Sequence, residues 1–151
     1  MLILLVVLTG LMAGIYFAFS IFIMKALNQL PALQAAQAMN RINEVIVNTA
    51  FLPVFFATTL WYAGLILWSL ADWQTGHSIL VITAALIYIA GMFVVTALGN
   101  VPLNNRLNER ASSDSRLSDY WHVYRRAWTP LNHLRTLSCM VSCAVLTLAI
   151  I

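Results

Sequence analysis

Of 151 residues, 62% are hydrophobic and only 9% are charged, against about 25% charged in an average soluble domain. That balance excludes a soluble globular protein and leaves a membrane protein with one domain, residues 1–151. The net charge of +3 gives no argument for nucleic acid, and no nucleic-acid partner is expected.

Four nearly uncharged stretches predict transmembrane helices at about 2–24, 45–70, 78–100 and 129–150, each reaching the roughly 20 apolar residues that cross a bilayer core. The expected fold is all-α, an integral membrane four-helix bundle without internal repeats. The first stretch lacks the basic lead and cleavage site of a secretory signal, so it is expected to be retained. On it, Gly10, Ala13, Gly14 and Ala18 form a small-residue face for close packing within the bundle, which also leaves a homo-oligomer open. Tyr16 and Ser20 follow near its end. In the connection that comes next, Pro31 can open a helix, and Leu33, Ala36, Met39 and Ile42 recur at helical spacing. They predict a short interfacial helix between helices one and two, bringing Asn43, Glu44 and Asn48 to the membrane. Pro53 is expected to kink helix two.

Helix three ends in a run of amides, Asn100-Val101-Pro102-Leu103-Asn104, after Thr96 and Gly99. The polar segment Arg106–Asp119 follows, with Ala111–Ser115 as its expected flexible tip. Thr129-Pro130 either starts helix four with threonine as its cap or kinks a longer helix begun near Ser118. Cys139 and Cys143 read as structural thiols in apolar sequence. His77, His122 and His133 are too dispersed to hold a metal, and no metal site is expected.

Lys25 and Arg41 lie between helices one and two, and Arg106, Arg110, Arg116, Arg125 and Arg126 between three and four. The remaining loop and both termini have no Lys or Arg. Both termini are therefore expected on the non-cytoplasmic side of a multi-pass protein, in a bacterial inner membrane.

A polar stripe, Trp121, Arg125, Trp128, Asn132 and Arg135, recurs at helical spacing and runs into helix four. A guanidinium and an amide there are costly unless they meet partners or a ligand. In the expected topology Tyr16, Ser20, Asn43, Glu44, Asn48, Thr96, Asn100, Asn104, Asn132 and Arg135 fall in one half of the bundle. The other half carries almost nothing comparable. One-sided polarity of this kind predicts a pocket near the cytoplasmic interface with Trp121 and Trp128 as aromatic walls.

Three stretches then resemble a known family: Gly14-Ile15-Tyr16-Phe17-Ala18-Phe19-Ser20 with Met24 and Ala26-Leu27; Ala38-Met39 with Asn43; and Asn100-Val101-Pro102-Leu103-Asn104 with Leu107. A final block, Trp121, Tyr124, Arg126, Trp128, Thr129, Asn132-His133 and Arg135-Thr136, is the strongest. On these residues the chain is similar to the anthrone oxygenase-like family of small four-helix membrane proteins, over nearly its whole length. Lys25 stands where a proline is expected and Leu131 where a bulkier aromatic is common, which blurs the pocket's shape.

The resemblance implies a monooxygenase that inserts oxygen into an anthrone, or a related polycyclic phenol, without metal or flavin. Such a reaction needs a base, donors to a developing oxyanion and a dry aromatic slot. The implied assignment makes Asn132 and Arg135 catalytic, with Asn100 a further donor and Glu44 or His133 the base. Trp121, Trp128, Asn104, Asn43 and Tyr16 complete the substrate-binding set. The competing reading is a non-catalytic module that binds a lipid or small hydrophobic ligand, or scaffolds a partner through the arginine-rich loop. A transporter is poorer, because no internal repeat offers alternating access.

Overall fold

A computed structural model describes residues 1–151. It is all-helical, with helices α1 (Leu2–Leu27), α2 (Ala32–Ile46), α3 (Phe51–Ala71), α4 (His77–Glu109) and α5 (Asp114–Leu148). All but α2 are long and apolar enough to cross a membrane. The central helix is α5, which packs against α1, α4 and α2, while α3 closes the bundle against α4 and α1.

Several boundaries differ from the sequence expectation, each for a local reason. Of the two readings at Thr129-Pro130 the longer helix is the one found: α5 does not start at residue 129 but runs through Pro130 from Asp114, four residues before the expected start near Ser118. Its buried face continues across the proline from Trp121, Tyr124 and Trp128 to Asn132 and Arg135, and that packing offsets the roughly 3 kcal/mol an interior proline costs. Thr129 makes no cap, since its hydroxyl has no partner. The α2 segment does not flow into the second span: the chain breaks at Val47–Ala50, where Thr49 Oγ1 donates to the Ile46 carbonyl and accepts from Phe51 N. Pro53 therefore falls in the first turn of α3, where its missing N–H has no helical partner to lose, and it need not kink the helix.

Three wide, π-helical turns interrupt the long helices, at Phe19–Ile23 in α1 and at Ile89–Val94 and Thr96–Asn100 in α4. Turns of this kind are rare and concentrate at functional sites, because they re-aim side chains. Two apolar cores flank the level at which they occur. One gathers Leu5, Met12, Phe55, Tyr62, Tyr88, Met92 and Cys139; the other gathers Met24, Met39, Leu107, Leu117, Trp121, Tyr124 and Trp128. Between the two stand the buried polar side chains Ser20, Asn100, Asn132, Arg135 and Thr136.

The half expected to carry almost no comparable polar groups is threaded with hydroxyls. Tyr62 OH meets Thr9 Oγ1 at 2.9 Å and accepts from Ser142 Oγ at 3.0 Å, and Thr58 Oγ1 lies 2.7 Å from Tyr88 OH. Thr9 and Thr58 also bond the carbonyl four residues back in their own helices, so they are satisfied inside apolar helices and leave no mark on hydropathy. The small-residue face of α1 divides as well: Ala13 is buried, while Gly14 is exposed with open space around it.

Close approach of α4 to α5 depends on Gly91 and Gly99. A Cβ on Gly91 would collide with Ser138 Oγ, and one on Gly99 would stand 2.8 Å from Leu131 Cδ1. Gly91→Ala is expected to destabilise the bundle by about 1–3 kcal/mol through overpacking. Gly14→Ala should be neutral or gain up to about 1 kcal/mol from helix propensity. Thermal unfolding of the two variants in detergent measures the contrast.

Candidate functional site

The wide turns open onto a cavity of about 340 Å³ between α1, α2, α3, α4 and the middle of α5. Its walls are mostly apolar and rich in aromatic rings: Phe19 comes from α1, Phe51, Phe55 and Phe56 from α3, Phe93 from α4 and Trp128 from α5. The phenylalanines pack on one another, with Phe51–Phe55 ring centroids 6.0 Å apart and Phe55–Phe93 5.5 Å apart. Each π-helical turn adds to the lining, through Phe19, Phe93, and Thr96 with Asn100. The remaining polar lining is Tyr16, Asn43, Asn104 and Arg135.

Arg135 is the one charged side chain on this wall, and only 5% of its surface is exposed. Its guanidinium lies 4.3 Å above the Tyr16 ring and 5.1 Å from the Trp128 ring, an arrangement in which the aromatic quadrupoles favour the cation. One terminal nitrogen donates to Asn132 Oδ1 at 2.7 Å and the other to Thr96 Oγ1 at 3.3 Å. Nε has no partner. No carboxylate pairs with it, because the single ion pair of the chain joins Arg41 to Glu44 at the surface. A buried guanidinium held by neutral acceptors alone has no counter-charge within the chain, and such an uncompensated charge is costly until an anion enters beside it.

Asn132 stands behind Arg135 rather than on the wall. It is fully buried, its Nδ2 donates to the Tyr16 carbonyl at 2.8 Å and to Ser20 Oγ at 2.7 Å, and its Oδ1 carries Arg135. Thr136 Oγ1 closes the same network, 2.9 Å from both the Asn132 carbonyl and Ser20 Oγ. The amide thus ties α1 to α5 and aims the guanidinium, and both bonds from its amide nitrogen, expected for a substrate, are taken within the chain.

The other expected residues divide between wall and surroundings. Asn100 donates to the Trp128 carbonyl at 3.3 Å and keeps an unpaired Oδ1. Asn104 donates to Asn43 Oδ1 at 3.1 Å and accepts from Tyr124 OH at 2.8 Å. Unpaired buried atoms recur on the lining residues: Asn43 Nδ2, Asn100 Oδ1, Trp128 Nε1 and Arg135 Nε. Trp121 is not a wall of the cavity; it stacks on Tyr124 with centroids 5.8 Å apart, inside the neighbouring core. Glu44 is exposed and paired with Arg41 at 2.7 Å, and His133 is exposed on the outer face of α5. Neither expected base touches the cavity, because one helical step of rotation separates His133 from the buried Asn132. Replacing either, by Glu44→Gln or His133→Ala, is expected to change stability by no more than about 0.5 kcal/mol, read by thermal unfolding in detergent.

The phenylalanine wall was not among the expected site residues, whereas Thr96 was expected with the polar groups of this half and lines the cavity. Phe51 and Phe55 are one helical turn apart, which marks a shared face, but in an apolar span that spacing does not say which face is inside. Tyr124, which fixes Asn104, lies on the same stripe as Trp121 and Trp128.

Four helices long and apolar enough to cross a membrane thus surround an aromatic-lined cavity whose wall carries a single charged side chain, Arg135. The chain belongs to the anthrone oxygenase family, whose model matches residues 42–145. Comparisons with curated proteins and with solved structures give no match. The matched segment holds most of the wall, from Ile42 to Arg135, but not Tyr16 and Phe19 of α1.

Proposed function

We propose that this protein oxidises a planar, hydrophobic anthrone or related polycyclic phenol with molecular oxygen, and that Arg135 stabilises the substrate's oxyanion. The observation that carries this reading is the buried guanidinium, without a counter-ion, on the wall of an aromatic cavity. At about 340 Å³ the cavity falls at the small end of ligand sites, which span about 300–1,000 Å³. Its one positive charge selects a ligand that is neutral while entering from the bilayer and negative while reacting.

An anthrone meets that description. Its methylene carbon loses a proton to give an enolate whose charge rests on the ketone oxygen across the central ring. At about 4 Å and an effective dielectric of about 20, a guanidinium favours that oxyanion by about 4 kcal/mol, or about a thousandfold. The cavity offers no carboxylate or imidazole to act as a fixed base, so the site promotes ionisation by holding the anion, and the proton passes to water. The enolate gives one electron to oxygen, and the carbon radical and superoxide combine to a peroxide. Protonation and loss of water then leave a carbonyl where the methylene stood: one oxygen atom enters the product and the other leaves as water. The phenylalanines and Trp128 keep the ring flat and exclude bulk water. This scheme calls on no metal or flavin.

We infer the same membrane placement as from the loop charges, with both termini on the non-cytoplasmic side of a bacterial inner membrane and α2 at the interface. The decisive experiment follows oxygen uptake and quinone formation from an anthrone by purified protein in detergent, above the rate of spontaneous autoxidation. Label from ¹⁸O₂ is expected in the new carbonyl. Uptake equal to the protein-free blank with several anthrones would reject the enzymatic reading and leave a ligand-binding module.

A further inference from the structure

Beside the aromatic cavity lies a second pocket of about 590 Å³ with a different chemistry. The two share Asn43, Val47, Val101 and Asn104 as a common wall. Six carboxamides line the second pocket: Gln37, Asn40 and Asn43 on α2, and Asn104, Asn105 and Asn108 on α4. Its charged groups, Arg41 and Glu44, neutralise each other at 2.7 Å. Solvation of a helix face at an interface does not account for this composition. Asn40 has both Nδ2 and Oδ1 shielded from solvent without a partner, and Asn43 has an unpartnered Nδ2. Buried amide atoms left in that state cost about 1–3 kcal/mol each unless a ligand or water completes them.

The geometry points to a vestibule that binds a neutral, polyhydroxylated group, such as a glycosyl or polyol substituent, attached to the hydrophobic body held in the inner cavity. A carboxamide offers a donor and an acceptor side by side, which matches a hydroxyl, also donor and acceptor. Ionic head groups find no net charge to pair with here. The Asn43–Asn104 hydrogen bond, 3.1 Å long and braced by Tyr124, forms the sill over which such a ligand would lie. This inference rests on the proposed hydrophobic inner site for its orientation and adds the class of substituent that site would accept.

Four air-stable probes test it by equilibrium dialysis, read by quinone absorbance, on full-length protein in an amine-oxide detergent free of sugar. They are 9,10-anthraquinone alone and the same ring bearing a 2-glucosyloxy, 2-sulfonate or 2-trimethylammonium group. The glucosyl probe is expected to bind up to about tenfold more tightly than the bare ring, the most that one well-made neutral hydrogen bond contributes. The two ionic probes should show no such gain. Asn40→Leu, and separately the exposed Asn108→Leu, should remove the gain and leave bare-ring binding unchanged. If the bare ring binds and the glucosyl group adds nothing, or the sulfonate adds as much, the vestibule assignment fails and the inner-cavity reading survives. If only the glucosyl probe binds, the vestibule stands and the inner-cavity reading falls. Binding of neither rejects both.

Discussion

Arg135→Met is expected to lower kcat/KM for anthrone oxidation by about 10² to 10³, the usual effect of removing one preorganised oxyanion donor. The fold should survive it. Methionine fills much of the same space, and exchanging a buried charge for an apolar side chain is often neutral or stabilising. The acceptors of Asn132 and Thr96 left unpaired cost something in return, so net stability should move by no more than about 1–2 kcal/mol. Arg135→Lys separates charge from shape: an ammonium cannot span Asn132 Oδ1 and Thr96 Oγ1 together as the fork does. Its activity should lie between those of the native protein and the methionine variant. If Arg135→Met oxidised an anthrone at the native rate while folded, the guanidinium would have no part in the chemistry.

Asn132→Leu should behave in the opposite manner, losing stability and activity together. The side chain makes three hydrogen bonds in the buried layer, to the Tyr16 carbonyl, to Ser20 and to Arg135. A leucine leaves those partners unpaired and breaks the only amide link between α1 and the guanidinium. A loss of about 2–4 kcal/mol is expected, because a bond to a charged group alone contributes about 1.5–3 kcal/mol. Thermal unfolding in detergent reads the first effect, and oxygen uptake at a temperature where the variant is folded reads the second. A variant as stable as the native chain would show that the layer does not hold α1 to α5. Full activity in a folded variant would show that Arg135 needs no support from Asn132.

The contrast between these two residues shows how far the linear pattern reaches. Trp128, Asn132 and Arg135 share one face because the helix repeats every 3.6 residues, and that much is local. Yet three residues of separation place one side chain on the cavity and the other behind it. The distinction depends on Ser20 and the Tyr16 carbonyl, more than a hundred positions away in sequence and brought to Asn132 by the packing of α1 on α5. Glu44 and His133 are proton acceptors by composition alone, but the rotation of α2 and α5 turns both away from the cavity. Trp121 lies on the same stripe as Trp128, but it is nearly two turns earlier and buried in the neighbouring core.

By itself the sequence determined the membrane class, the four apolar helices, the family, and the gathering of amides and a guanidinium toward one half of the bundle. Hydropathy and helical period are properties of short windows, and a bilayer leaves a chain of such windows little choice but to cross as helices. Tertiary structure decided which polar groups meet the cavity, that phenylalanines from α3 and α4 build its wall, and that hydroxyls lace the opposite half. In a span apolar all round, the inward face is set by contacts with other helices, and no single helix carries that information.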